Sequence, residues 1–159
     1  MMKESLKTGI TFGLTSGTIT TLGLMIGLYS STNSRGIVIG GILTIAVADS
    51  LSDALGIHIS EEADHTRTTL QVWAATVATF LSKLCAIIFI IPVLLFDLPT
   101  AIIINLAWGI SLLTILSYYL AKSQGAKPWK VILEHIAITI LVVALTHFLG
   151  KLIAKYVGS

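Results

Sequence analysis

TLQVWAATVATFLSKLCAIIFIIPVLLF, Thr69 to Phe96, is a run of 28 residues with one charged side chain, Lys83. At a rise of about 1.5 Å per residue, a helix of this length outreaches the roughly 30 Å hydrocarbon core of a bilayer. The stretch reads as a membrane span, with Lys83 in its interior and Pro92 near its end.

Four further apolar runs surround it, roughly Thr8 to Tyr29, Gly36 to Ser60, Thr100 to Ala121 and Trp129 to Gly150, the last able to continue to Val157. Composition agrees. Over 159 residues, 55% are hydrophobic and only 11% charged, against about 25% charged in a soluble domain. That excludes a water-soluble globule and a disordered chain. A single cysteine, Cys85, excludes a disulfide scaffold, and ten scattered cations on a net charge of +2 exclude a nucleic-acid face. No cleavable signal peptide is expected. The fold class is therefore an all-α membrane protein, one domain over residues 1–159 with five transmembrane helices.

The breaks carry turn chemistry: Ser30 to Arg35, the acidic Glu61 to Thr68, Asp97-Leu98-Pro99, and Ser123 to Pro128. Lys3, Lys7, Arg67, Lys122, Lys127 and Lys130 fall on one side, and Arg35, Lys151 and Lys155 on the other. The positive-inside bias predicts a cytoplasmic N-terminus and an outside C-terminus. A multi-pass protein of the cell membrane is expected.

The first span carries glycines at four-residue spacing, Gly9, Gly13 and Gly17, then Gly23 and Gly27. Such a ladder lets a second backbone approach closely in lipid. The partner is either another helix of the same chain or a second copy, with Gly9, Gly13 and Gly17 as a homodimer interface.

The second span carries Asp49 and Asp53, one turn apart on one face. A carboxylate at membrane depth costs about 2.5–3.5 kcal/mol even on the lenient insertion scale. Two on one face repel unless a cation or protons sit between them. Lys83 matches Asp49 in depth, so an Asp49–Lys83 ion pair is expected. That leaves Asp53 as the freer carboxylate and the first candidate for binding a cation or proton. Beyond it, His58, Glu61, Glu62 and His65 form a second candidate metal set, because Glu-x-x-His is a spacing that metal-binding helices use. No HExxH, GxSxG or phosphate-binding glycine loop is present, so an enzyme is not expected.

Three stretches resemble the vacuolar iron transporter family. Thr15-Ser16-Gly17-Thr18-Ile19-Thr20-Thr21-Leu22-Gly23-Leu24 is similar to that family's first helix. Ser52-Asp53-Ala54-Leu55-Gly56-Ile57-His58-Ile59-Ser60 is similar to its second, and Ala144-Leu145-Thr146-His147-Phe148-Leu149-Gly150-Lys151-Leu152 to its last. The family's first-helix acid falls at Ser16, its second-helix Met at Asp53 and its Glu at Ile57. The resemblance implies a homodimeric, five-span exporter of Fe2+ or Mn2+ from the cytosol, coupled to protons and holding no tightly bound cofactor. Its metal ligands would be Asp53, Asp49 and Ser16, with His58, Glu61, Glu62 and His65 as a minimal capture site. The competing expectation is a non-transporting membrane scaffold or assembly subunit, in which the Asp–Lys pair only holds the bundle together.

Overall fold

The computed structural model describes residues 2–157. It consists of α1 (Met2–Thr32), α2 (Arg35–Glu62), α3 (Thr69–Leu84), a 3-10 segment (Cys85–Phe89), α4 (Ile90–Leu95), α5 (Leu98–Ser123) and α6 (Pro128–Tyr156). There is no strand among the described residues. Among the described residues, five helical stretches are long and apolar enough to cross a membrane: α1, α2, Thr69–Leu95, α5 and α6. The all-α, five-span reading holds, and large apolar side chains such as Leu55, Ile103, Leu141 and Phe148 lie exposed on the helices. In water such surfaces would aggregate; in a bilayer they are what lipid requires.

The third span is not one regular helix. Pro92 has no N–H to offer the carbonyl of Ile88, and its ring crowds that carbonyl. The helix tightens into the 3-10 segment just before it. Other boundaries follow local chemistry. Thr68 and Gln71 form a reciprocal capping box at the start of α3. Asp97 caps α5 by accepting the Thr100 N–H at 3.1 Å, with Pro99 in the first turn. At its other end, Gly125 takes φ +67°. Its N–H then reaches the Lys122 carbonyl, and the Ala126 N–H reaches that of Ala121. This is a Schellman stop, which glycine makes at little cost.

The chain divides into two compact units. One takes the chain up to Thr18 together with Leu43–Ile87. Its core is built from small residues, Ala46, Ala54, Ala75 and Ala78 among them, together with the buried Ser50, Thr79 and Lys83. Small residues are needed because α1 and α3 approach through Gly9, Gly13 and Gly17. A Cβ on Gly13 would sit 2.7 Å from the Thr79 carbonyl oxygen and 2.9 Å from Ser82 Cβ. The ladder is thus occupied within the chain, which corrects the expectation that Gly9, Gly13 and Gly17 form a homodimer interface. A second copy cannot use a face that α3 already fills.

The other unit takes Ile19–Ile42 and the chain from Ile88 onward. Its core is larger and more apolar, with Leu22, Met25, Val38, Ile42, Phe89 and Leu113 buried. Here the second set of α1 glycines meets α6. Gly23 lies against Val142, and a Cβ on Gly150 would come within 2.8 Å of Ser30 Cβ. The buried Asn105 donates to the carbonyl of Phe89 at 2.9 Å, serving a backbone oxygen at the end of the 3-10 segment.

Candidate functional site

The unit that contains Lys83 brings three sequence-predicted residues and one cation together. Lys83 is fixed by α3, Asp49 and Asp53 by α2 one turn apart, and Ser16 by α1. The ammonium Nζ lies 2.6 Å from Asp49 Oδ2 and in direct contact with Asp53 Oδ2. It also donates to Ser16 Oγ at 3.0 Å. Ser16 in turn donates its hydroxyl proton to Asp53 Oδ2 at 2.8 Å. Three N–H groups thus meet three oxygens, the full donor complement of a lysine.

Burial is uneven. The Lys83 side chain is 2% exposed, whereas those of Asp49 and Asp53 are 25% and 24% exposed. The cation is sealed and the carboxylates keep an open side. A shared hydrophobic depth and a full set of hydrogen bonds explain why Lys83 tolerates burial.

This arrangement corrects one expectation. Asp49 and Lys83 do pair, but Asp53 is not the unpaired carboxylate, because Lys83 bridges both. The charge sum decides what the site can do. Two carboxylates and one ammonium leave one negative charge. A proton or a monovalent cation brings the site to neutrality. A divalent cation does so only if Lys83 also gives up its proton.

The second candidate set does not assemble. The helix stops at Glu62, and the Asp64 carboxylate accepts both the N–H of Thr66, at 3.0 Å, and its hydroxyl, at 2.7 Å. This local turn takes His65 off the helical face that Glu62-x-x-His65 needs. The hydroxyl and N–H of Thr66 hold the Asp64 carboxyl below its usual value. Glu61 pairs with Arg67 at 3.4 Å instead, while His58 bonds Thr76 at 2.9 Å. Among the described residues no three His, Cys, Asp or Glu side chains converge as a metal ion requires. The expected capture site of His58, Glu61, Glu62 and His65 is therefore corrected: only His58 and Glu62 share a cleft.

Two other histidines find hydroxyl partners. His147 Nδ1 lies 2.6 Å from Ser30 Oγ, and His135 Nδ1 lies 2.7 Å from Ser117 Oγ. Cys85 is exposed, not packed as its apolar context suggests. Sequence reasoning missed Asn105, although one amide in an apolar α5 was the available signal.

No protein-family model, curated protein or solved structure matches the chain. The likeness to vacuolar iron transporters rests on the three stretches of sequence alone.

Proposed function

We propose that this multi-pass membrane protein exchanges cations for protons, with Asp49, Asp53 and Lys83 as the exchanging site. The observation that carries the reading is the charge sum: one buried ammonium against two half-open carboxylates, at a depth where net charge is costly. An uncompensated charge there draws in a counter-charge from whichever side has access.

Electroneutrality sets the coupling. The neutral resting site holds the Lys83 proton and one further proton on the carboxylate pair. A divalent cation that takes both carboxylates leaves the site neutral only if both protons depart. Two protons therefore leave for each divalent ion, and one for each monovalent ion. Lys83 acts as a tethered competitor that re-enters when the cation goes. The resemblance to iron and manganese exporters supports Fe2+ or Mn2+ as the cargo, and oxygen donors suit such ions. The lysine bias supports a cytoplasmic N-terminus and hence the cytosol as the source.

A second reading has its own support. Lys83 has all three of its N–H groups satisfied within the chain, as a purely structural strut would. The two readings separate in proteoliposomes carrying an internal pH indicator and challenged with Fe2+, Mn2+, Zn2+, Na+ and K+. Exchange predicts uptake of at least one of these ions with opposite proton movement. A scaffold predicts none.

A further inference from the structure

A cleft of about 140 Å3, lined by His58, Glu62, Arg67, Thr69, Val72 and Trp73, opens where α2 ends and α3 begins. These ends flank the connection between two membrane spans, the level at which tryptophan is favoured at the bilayer surface. We propose that this cleft binds a primary ammonium group.

The donor set points there. Thr76 spends its only hydroxyl proton on the Val72 carbonyl, at 2.8 Å. The 2.9 Å contact between Thr76 Oγ1 and His58 Nδ1 therefore has the imidazole N–H as donor. In the neutral ring this leaves Nε2 as a lone-pair acceptor. Glu62 lies one turn further along α2. Its carboxylate is exposed and forms no ion pair among the described residues. Trp73 meets the His58 ring edge-on at 4.7 Å and supplies an aromatic wall to which a cation is attracted.

The charge around the cleft agrees. Within the connection, Glu61, Glu62 and Asp64 are set against Arg67. The Arg67 Nε already lies 3.4 Å from both Glu61 and Asp64, which leaves Glu62 as the carboxylate of the connection without an ion pair among the described residues. A metal ion would find only His58 and Glu62 as ligands. A quaternary ammonium has no N–H for either acceptor. A primary ammonium satisfies both and keeps the Trp73 contact. Its source is either the ethanolamine headgroup of a phospholipid or a free alkylamine.

Trp73 reports on the cleft once Trp108 and Trp129, both exposed, are replaced by Phe. Ethylammonium added to this protein in detergent should shift Trp73 emission saturably. Glu62→Gln should weaken the effect at least about tenfold, as expected for a hydrogen bond to a charged group, and His58→Gln should weaken it too. Tetramethylammonium should do little. Circular dichroism checks that each variant is folded. In nanodiscs the two sources part. If the headgroup is the ligand, phosphatidylethanolamine discs show the shifted emission before any amine is added, and phosphatidylcholine discs do not. If a free amine is the ligand, both discs respond equally to ethylammonium. The proposal fails if no Glu62-dependent shift appears with either source. It also fails if tetramethylammonium matches ethylammonium, or if Mn2+ alone gives the shift.

Discussion

Gly17 lies directly against the stem of Lys83: a Cβ on Gly17 would sit 3.0 Å from Lys83 Cγ and 3.2 Å from its carbonyl oxygen. The glycine of α1 and the lysine of α3 therefore form one device. The absent side chain makes room for the aliphatic stem, and the stem carries the ammonium to the carboxylates. Ser16, the preceding residue, closes the arrangement with its hydroxyl.

From this contact, Gly17→Leu should destabilise the protein by about 1–3 kcal/mol, the usual range for overpacking. Thermal unfolding in detergent would measure it. Because the ladder packs within the chain, Gly13→Leu and Gly17→Leu should change stability without changing the mass of the detergent-solubilised particle.

Lys83 touches two carboxylates, so neither aspartate alone is indispensable for folding. Asp49→Asn and Asp53→Asn should each leave a folded protein. The double variant strands a buried ammonium and should cost about 3–5 kcal/mol. A double-mutant cycle on melting temperature would show this as strong non-additivity; additive losses would mean that Lys83 is not shared.

Lys83→Met leaves two carboxylates facing each other, with a net charge that one divalent cation matches. Mn2+ should therefore raise the melting temperature of Lys83→Met more than that of the wild type, because binding only the folded state stabilises it. Equal shifts in both proteins would argue against Lys83 as a competitor for the site.

Asp97 gives a pH test away from the membrane interior. The Thr100 N–H holds its carboxyl below the ordinary value of 3.8. A lowered folded value means that the cap contributes stability above the unfolded value and loses it as pH falls through the folded one. Asp97→Ala should melt below the wild type at neutral pH, and the gap should close once the pH is well below about 4. A gap that persists in acid would show that charge at the cap is not what matters.

The five spans were legible because membrane helices are long and need little more than apolar length. Their ends were less so: α1 starts at Met2, well before its apolar run, whereas α6 runs to Tyr156, in line with the continuation towards Val157. Asp49, Asp53 and Lys83 stood out because charge is rare at depth. What depth alone did not convey was that one flexible lysine stem reaches both rungs of an i, i+4 pair. The glycine ladder was equally visible, but a ladder does not say whether its partner is the same chain. His65 was misjudged because the spacing rule assumed a continuing helix, and the Asp64–Thr66 turn ends it.

The central claim is that the Asp49–Lys83–Asp53 site couples cation movement to protons, and Asp53 tests it most directly. Asp53→Asn leaves a single carboxylate, which cannot balance a divalent ion even after Lys83 gives up its proton. In proteoliposomes with simultaneous readout of cation uptake and internal pH, the wild type should move two protons against each divalent ion. Folded Asp53→Asn should move neither the divalent ion nor its two protons. Undiminished cation flux with its proton movement in folded Asp53→Asn would contradict the account and leave the three residues as a structural strut.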